Sequence, residues 1–247
     1  MDFIEIAHLF KEFPNGEAGW RPVLWDLSLS VRRGEFAVLL GPSGCGKTTL
    51  LHLIAGLDRH YRGSLTRQPG RIAFVFQEPR LLPWLTVEQN LRLVCSRERP
   101  ASIAPQVESW LRRVGLERWG RAYPHQLSVG MQQRAALARA FVIRPDLLLL
   151  DEPFSALDEV TAEQVADRTL QLWLSERPTV LMVTHRVEEA VFFADRVWIL
   201  TPSPATVHAR IDITLPRPRS RTHPEYWQEV ARVRHAVHDA CTRPATL

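Results

Sequence analysis

The residues that most directly suggest chemistry form a glycine-rich segment, GPSGCGKTT, at positions 41–49, which fits the pattern G-x-x-x-x-G-K-[ST] at every fixed position. Its glycines would let backbone N–H groups turn inward around an anion. Lys47 supplies a compact positive charge, and the Thr48 hydroxyl is an oxygen ligand of the kind that Mg²⁺ accepts. The segment therefore predicts a loop that holds nucleotide phosphates and Mg²⁺. The candidate nucleotide-binding residues are Gly41, Pro42, Ser43, Gly44, Cys45, Gly46, Lys47, Thr48 and Thr49.

The flanking sequence is that of a strand before the loop and a helix after it. Phe36–Leu40 is an apolar run, and the apolar-rich segment Leu50–Ala55 ends at Gly56. A helix N-terminus behind the loop would add about half a positive charge at the anion. A chance match of the pattern is expected in on the order of one in a hundred chains of this length. The context therefore favours a phosphate-binding loop over an incidental glycine-rich turn.

A second candidate site follows four consecutive leucines at Leu147–Leu150, which are typical of a buried strand. The next residues are Asp151 and Glu152. At the carboxyl end of a parallel strand such side chains face the ligand crevice, where Asp151 could hold Mg²⁺ and Glu152 could polarise a water. The alternative is an exposed acidic turn, which the nearby phosphate loop disfavours.

A third motif, LSVGMQQR at positions 127–134, predicts the start of a helix with Ser128 as its N-cap. Strand-like and helical segments alternate along most of the chain, and this alternation predicts an α/β nucleotide-binding core. From Thr86 to Ile143 helical spacing dominates, which predicts an inserted helical subdomain. The segment after Pro202 is rich in Pro, Arg and His, with one helix expected near Glu225–Val237.

Composition limits the class of protein. The chain has 247 residues with a net charge of +4, 45% hydrophobic and 23% charged residues, which is ordinary for a globular protein. No run reaches the roughly 18 apolar residues that cross a bilayer, and the acidic N-terminus is unlike a signal peptide. Three cysteines without C-x-x-C spacing indicate a reducing compartment rather than disulfides or zinc. A mildly basic charge does not by itself predict a nucleic-acid partner, and we expect none.

Together these motifs resemble those of the ATP-binding subunits of ABC transporters. The resemblance extends from about Phe3 to Leu200 and rests on residues 41–49, 127–134 and 147–158 with Gln77 and His185. It implies a P-loop NTPase (RecA-like) core with an antiparallel β subdomain and an inserted α-helical subdomain at about 86–143. The expected domains are an ATPase domain at 1–201 and a short C-terminal extension at 202–247.

The resemblance also assigns roles by position. Gln77 corresponds to a Mg²⁺ and water contact, and His185 to a contact of the γ-phosphate; with Glu152 they are the candidate catalytic residues. Thr48, Gln77 and Asp151 are the candidate Mg²⁺ ligands. Phe13 corresponds to the aromatic residue that stacks on adenine, although the residue type alone is equally consistent with a core phenylalanine.

Further correspondences imply a homodimer that encloses two ATP molecules. Ser128 and Gly130 belong to the family's signature sequence, which binds the γ-phosphate held by the opposite copy, and Asp158 corresponds to a residue at the dimer interface. One departure is evident, because the usual signature is LSGGQ and this chain has LSVGM. The hydroxyl and the close-approach glycine are retained, so we expect an active site with a reduced rate if the glutamine's bonds matter.

The segment Gln77–Asn90 contains the run LLPWLTV and is unusually apolar for a loop. Such a patch predicts either a turn packed on the core or a docking surface for a membrane partner. This run and the segment 213–219, ITLPRPR, are similar to importers of the nitrate, sulfonate and taurine type. The resemblance implies a peripheral protein on the cytoplasmic face of the inner membrane, joined to permease subunits near Gln77–Asn90 and indirectly to a periplasmic binding protein.

Three other classes of protein fit the sequence less well. A nucleic-acid-associated ABC ATPase would need long insertions or fused ATPase domains that 247 residues do not accommodate. A P-loop kinase or GTPase would lack the LSVGM segment. An exporter ATPase is disfavoured by the LLPW run and the PRPR segment. The resemblance thus implies ATP hydrolysis coupled to import of nitrate, a sulfonate, taurine or a similar small anion. An importer of another small solute is the alternative.

Overall fold

The computed structural model describes residues 2–16, 19–95 and 100–242, which form two compact units. The first unit comprises Met1–Pro69 and Thr179–Leu247, and the second comprises Gly70–Pro178. Positions 17–18, 96–99 and 243–247 of the expected domains lie outside the described residues. Within the described ranges, every helix is too short or too polar to cross a membrane.

Strands and helices alternate largely as the sequence predicts. The strands are β1 (Asp2–Pro14), β2 (Trp20–Arg32), β3 (Phe36–Leu40), β4 (Arg62–Arg67), β5 (Ile72–Val75), β6 (Leu147–Asp151), β7 (Thr179–Thr184), β8 (Arg196–Leu200) and β9 (Val207–Asp212). The helices are α1 (Lys47–Ala55), α2 (Val87–Leu93), α3 (Pro100–Arg113), α4 (Val129–Phe141), α5 (Glu159–Glu176), α6 (Val187–Phe193) and α7 (Pro224–Thr242). Short 3-10 helices lie at Glu117–Trp119 and Pro124–Gln126.

The first unit contains an antiparallel sheet in the order β2-β1-β4 and a mainly parallel sheet in the order β7-β3-β8-β9. Strand β3 is buried along its whole length and pairs in parallel with β7 on one side and β8 on the other. A strand covered on both faces needs a continuous apolar run, which FAVLL supplies. In this register Leu40 lies opposite Thr184, so the segments that follow β3 and β7 leave the sheet side by side.

Strand β9 was not expected from the sequence, although its residues, VHARID, alternate between apolar and polar side chains; they are partly buried or exposed. It pairs antiparallel with β8 and forms the edge of the sheet. A buried guanidinium secures it: Arg196 Nε lies 3.0 Å from Asp212 Oδ1 and 3.4 Å from Glu35 Oε1. Burial raises the pKa of Glu35, and the N–H of Arg32 and the charge of Arg196 oppose that rise. Residues after 202 therefore continue the sheet of the first unit.

The second unit contains the parallel pair β5–β6 with α2, α3, α4 and α5. The helical spacing of Val107, Trp110, Leu111 and Val114 predicts an apolar face for α3, and the structure confirms it, since all four side chains are buried. Trp110 stacks on Phe141 of α4 with ring centroids 5.6 Å apart, a contact worth about 0.5–1.5 kcal/mol beyond the area it buries. Val94 is the exception among the apolar positions that the helical spacing selected, because it ends α2 and is 37% exposed.

Candidate functional site

The glycine-rich loop leads directly from β3 into α1, whose first residue is Lys47. The Lys47 ammonium is buried and donates hydrogen bonds to the carbonyl oxygens of Gly41, at 2.9 Å, and Pro42, at 2.8 Å. The positive charge is thus anchored inside the loop, beside the N-terminus of the helix. Ser43 and Thr48 are exposed and Thr49 is partly exposed, so the loop presents hydroxyl groups as well as backbone N–H groups to an anion.

Two glycines of the loop are required by space. A Cβ at Gly46, whose φ is 111°, would lie 2.8 Å from Val23 Cγ1. A Cβ at Gly41 would lie 3.1 Å from Leu200 Cβ. Gly44 has a φ of 76° but open space around it, so its backbone conformation alone favours glycine. The loop is therefore packed tightly against the first unit at its base and open at its tip.

Cys45 is a buried residue at the base of the loop. Burial raises the pKa of its thiol, although the nearby charge of Lys47 opposes the rise. A thiol with a raised pKa is neutral at physiological pH and is neither a nucleophile nor a metal ligand. The contribution of Cys45 to nucleotide binding is thus its backbone and its volume.

His185 follows β7, as the loop follows β3, and its side chain is exposed. The residues on either side of it are fixed. The Thr184 hydroxyl donates a 2.6 Å hydrogen bond to Glu189 Oε2 and accepts one of 3.1 Å from the N–H of Arg186. The pairing of Leu40 with Thr184 brings the loop and His185 to the same edge of the sheet in the first unit.

Phe13 lies near the tip of the β1–β2 hairpin and is 40% exposed. The Lys11 ammonium lies 4.5 Å from the centroid of its ring. Lys11 is itself buried, 2.7 Å from Asp58 Oδ2, and it donates to the carbonyl of His60 at 2.7 Å. A cation on one face of the ring orients it and leaves ring surface for stacking. No signal in the sequence indicates this role for Lys11, because its partners Asp58 and His60 are distant in the chain.

In the second unit, β5 and β6 bring three candidate residues to one edge. Val75 pairs with Leu150, so Gln77 and the Asp151–Glu152 pair follow neighbouring strands. Gln77 Nε2 donates to Ser155 Oγ at 3.2 Å, and Ser155 Oγ donates to the Glu152 carbonyl at 3.0 Å. Asp151 is buried, 5% exposed, whereas Glu152 is partly exposed.

Glu152 has a φ of 43°, in the left-handed region that non-glycine residues seldom adopt. Such strain costs about 1–3 kcal/mol and concentrates at functional positions. Strand β6 ends at Asp151, so Glu152 lies in the turn that follows it and is partly exposed. A carboxylate beside a second, buried carboxylate suits a division of roles between a metal ligand and a proton acceptor.

The signature segment begins α4 as predicted. Ser128 is the N-cap, and its hydroxyl accepts a 3.3 Å hydrogen bond from the N–H of Met131. A Cβ at Gly130 would lie 2.4 Å from Thr161 Cγ2, so this glycine is also needed for the approach of α4 to α5. Val129, which replaces a glycine of the usual signature, is 49% exposed.

Asp158 is the N-cap of α5. Its carboxylate accepts a 3.0 Å hydrogen bond from the N–H of Thr161. Hydrogen bonds from Thr161 hold the pKa of the Asp158 carboxyl below its ordinary value of 3.8. Asp158 is exposed, so a structural role as a cap leaves it accessible to a further contact.

The segment Gln77–Asn90 is held in place from within the second unit. Asn90 is fully buried, and its side-chain amide donates to the carbonyls of Leu82, Leu85 and Thr86 at 3.0–3.2 Å. Arg139 of α4 donates to the carbonyls of Pro79 and Arg80. Trp84 is nonetheless 70% exposed. A fixed loop that exposes a tryptophan has the character of a binding surface.

The candidate Mg²⁺ ligands are the hydroxyl of Thr48, the side-chain amide of Gln77 and the carboxylate of Asp151. Hard oxygen donors of these types fit Mg²⁺, which takes one or two protein ligands together with phosphate oxygens and water. Across the described ranges, His, Cys, Asp and Glu form no cluster of three that could hold a metal ion alone. The residues present therefore fit a cation that arrives with a nucleotide.

A phosphate loop between a buried strand and a helix, with carboxylates at the end of another strand, defines the class of P-loop ATPases. A profile described as "ABC transporter" matches residues 24–155. The chain is 44% identical over 211 residues to the aliphatic sulfonates import ATP-binding protein SsuB of Bacillus licheniformis, covering 83% of this chain and 82% of that protein. It is 46% identical over 202 residues to SsuB 2 of Pseudomonas syringae pv. tomato, covering 82% and 86%.

Solved structures agree. The dimeric ATP-binding cassette MJ0796, in a post-hydrolysis state bound to ADP and Pi, has a TM-score of 0.76 and 28% identity over 86% of this chain and 100% of its own. A second dimeric structure of MJ0796 has a TM-score of 0.76 and 29% identity over the same shares. This chain belongs to the ABC transporter family. The predicted family and the predicted P-loop NTPase fold are both confirmed.

Proposed function

We propose that this chain hydrolyses ATP to energise the import of aliphatic sulfonates. The observation that carries the proposal is the phosphate loop, in which Lys47 is fixed by the carbonyls of Gly41 and Pro42. The named relatives that share 44–46% of aligned residues are import ATP-binding proteins for aliphatic sulfonates. A sulfonate is a small anion, the class of solute expected from the sequence.

In the proposed mechanism the loop residues Gly41–Thr49 bind the phosphates and Phe13 stacks on adenine. Thr48, Gln77 and Asp151 would hold Mg²⁺, which would supply positive charge to neutralise the phosphate oxygens. Glu152 accepts a proton from the water that attacks the γ-phosphorus, and the bond to the ADP oxygen breaks. His185 donates a hydrogen bond to the γ-phosphate and so favours the charge that develops there.

Two copies of the chain complete each site in this proposal. Ser128 is exposed at the N-terminus of α4, where backbone N–H groups and the helix dipole favour an anion. Ser128 and Gly130 of one copy bind the γ-phosphate held by the other, and Asp158 lies at the interface. The MJ0796 cassette, which has a similar fold, is dimeric.

The segment Gln77–Asn90 is the proposed docking surface for the membrane permease subunits. Its exposed Trp84 supplies an apolar contact, and the buried Asn90 keeps the backbone rigid beneath it. Gln77, a proposed Mg²⁺ ligand, begins this segment, so hydrolysis and docking share one stretch of chain. The protein would act at the cytoplasmic face of the membrane, with a periplasmic binding protein delivering the solute.

The test is transport by the assembled system. The chain is co-expressed with its permease subunits and binding protein, reconstituted into liposomes, and assayed for ATP-driven uptake of an aliphatic sulfonate and of nitrate. We expect sulfonate uptake that is abolished by Lys47→Ala and retained in Arg232→Ala, a surface variant in α7. ATP hydrolysis that proceeds without sulfonate uptake would refute the substrate class, and absence of hydrolysis would refute the activity.

A further inference from the structure

Three arginines of the segment after β9 converge on the C-terminal end of α6. Arg217, Arg219 and Arg221 alternate with Pro218 and Ser220, and all three contact residues between Val191 and Asp195. We call these three residues the arginine staple. The P-loop mechanism does not use them, and the sequence marked this segment only as a feature shared with certain importers.

Arg219 is the buried member of the staple, with 6% of its surface exposed. Its Nη1 donates to the carbonyls of Val191, at 2.6 Å, and Ala194, at 2.7 Å, and its Nε donates to the carbonyl of Leu215 at 3.1 Å. Burial, with a smaller effect of Arg217, lowers the pKa of Arg219 to about 10, so the guanidinium is still charged at neutral pH. A cation at the last carbonyls of a helix is favoured by the helix dipole.

Arg217 and Arg221 hold the same helix end from other sides. Arg217 donates to the carbonyl of Phe193 and forms an ion pair with Asp195. Arg221 lies over the ring of Phe192, 3.8 Å from its centroid. The staple thus satisfies carbonyls that the end of a helix leaves without intrahelical partners, and it covers the ring of Phe192.

The end of α6 that the staple holds is joined to the strand before the phosphate loop. Phe193 stacks on Phe36 with ring centroids 5.0 Å apart. The N–H of Phe36 donates to Asp195 Oδ2 at 2.9 Å, and the N–H of Asp195 donates to the Phe36 carbonyl at 2.8 Å. Phe36 is the first residue of β3, so the position of α6 and the position of the loop's strand are set together.

The other end of α6 holds the two residues on either side of His185. Glu189, in the first turns of the helix, accepts the hydrogen bond from Thr184 and lies 3.3 Å from a guanidinium nitrogen of Arg186. His185 lies between these two residues. Because α6 has only 7 residues, a shift at its C-terminal end is transmitted to Glu189 within about one turn.

From these contacts we propose that Arg217 and Arg219 are positioning residues for His185: they fix α6 at one end so that Glu189, at the other, holds the histidine toward the γ-phosphate. The proposal rests on the proposed function, in which His185 contacts that phosphate. It gives Arg217 and Arg219 a part in hydrolysis that acts through α6.

The test compares Arg217→Ala, Arg217→Lys and Arg219→Met with Arg232→Ala in the full-length chain. Arg232 is a matched control, since it lies in α7 and bonds to Glu229 and the carbonyl of Asp212, outside α6. Two readouts are measured on folded protein: the steady-state ATPase parameters kcat and KM, and the imidazole C–H resonance of His185, assigned by its loss in His185→Ala.

We expect Arg217→Ala and Arg219→Met to lower kcat about 10- to 100-fold, because small misplacements of a catalytic group have effects of this size. KM for ATP should change less than about twofold, and the His185 resonance should shift. Arg217→Lys, which keeps a donor, should recover part of kcat, and Arg232→Ala should match the wild type. If Arg219→Met does not fold, the Arg217 pair carries the test.

Unchanged kcat and an unmoved His185 resonance in Arg217→Ala would overturn the proposal. If kcat is unchanged in Arg217→Ala and His185→Ala also has wild-type activity, His185 is instead removed from the proposed mechanism. The two failures are distinguishable, because in the first case His185→Ala is inactive and the staple variants are active.

Discussion

The two units of the chain carry their functional residues in different physical settings. In the first unit the phosphate loop has a buried lysine bonded to two loop carbonyls and two glycines without room for a Cβ. In the second unit Ser128, Asp158 and Gln77 lie at helix starts or turns with exposed or partly exposed side chains, and Glu152 occupies strained backbone. The candidate loop of the first unit is thus fixed by packing and hydrogen bonds, whereas the candidate residues of the second unit are exposed or partly exposed.

This contrast separates binding from turnover. A rigid loop with a fixed charge binds phosphate without reorganising, so changes there should act on nucleotide affinity or on folding. In the second unit, loss of the proposed base Glu152 should lower kcat while affinity persists, and loss of a helix cap should lower stability by a small amount. We make four predictions about substitutions in the two units, from the largest expected effect to the smallest.

The largest effect is expected for Glu152→Gln in the second unit. Loss of a general base lowers kcat by about 10²- to 10⁴-fold, while the affinity for ATP should change little, because glutamine keeps the shape of the side chain. Steady-state kinetics and equilibrium ATP binding measure the two quantities. Glu159→Gln, a change of the same type at an exposed position of α5, is the control and should retain activity. A fall in affinity that matches the fall in kcat would contradict the division.

Substitutions of the glycines in the phosphate loop of the first unit should lower the stability of the protein. In Gly46→Ala the added Cβ would lie 2.8 Å from Val23 Cγ1, and the alanine backbone would have to adopt a φ of 111°. We therefore expect the free energy of unfolding to fall by about 2–5 kcal/mol. Gly44→Ala has the strained backbone without the clash, and should lose about 1–2 kcal/mol. Urea denaturation distinguishes them, and equal losses would show that the base of the loop is not tightly packed.

A smaller effect, on affinity alone, is expected for Phe13→Ala. Stacking of a base on an aromatic ring is worth about 1–3 kcal/mol, so KM for ATP should rise about 5- to 150-fold with kcat nearly unchanged. Trp20→Ala is a matched control on the same hairpin: Trp20 is 66% exposed and lies opposite Pro14, one position beyond the Phe13–Arg21 pair. An equal rise in KM in both variants would remove Phe13 as the specific adenine contact.

The smallest effect concerns pH. The folded-state pKa of Asp158 is below its ordinary value, so the stability that its cap contributes is present above about pH 4 and is lost as pH falls through the lowered value. Asp158→Asn keeps a capping side chain but cannot titrate. The melting temperature of the variant should therefore fall less steeply on acidification than that of the wild type. Parallel curves for the two proteins would count against the cap.

Much of the fold follows from local sequence. The FAVLL run, the loop and Gly56 specify β3, α1 and its left-handed C-cap, and Ser128 specifies the start of α4, because each of these signals lies within a few residues. Strand β9 was missed, although the alternation in VHARID is a strand signal, because it is a short edge strand in a segment rich in Pro, Arg and His. Its place depends on Arg196 and Asp212, which pair only after the sheet has formed.

The sequence predicts the residues of the candidate site, but it does not predict the groups that hold those residues in place. Lys11 lies over Phe13 because Asp58 and His60 fix it from a distant part of the chain. Arg219 meets α6 across 25–28 positions of sequence. Contacts of this range leave no periodicity or spacing in the sequence, so only the folded structure reveals them.

Our main proposal is that a second copy of the chain completes the ATP site that begins at the phosphate loop. It is tested most directly by sedimentation velocity of Glu152→Gln with and without ATP and Mg²⁺. We expect Glu152→Gln to be a monomer without ATP and a dimer with ATP. The double variant that also carries Ser128→Arg should still bind ATP but remain a monomer under both conditions. A Glu152→Gln protein that binds ATP and remains monomeric, or a double variant that still dimerises, would contradict it.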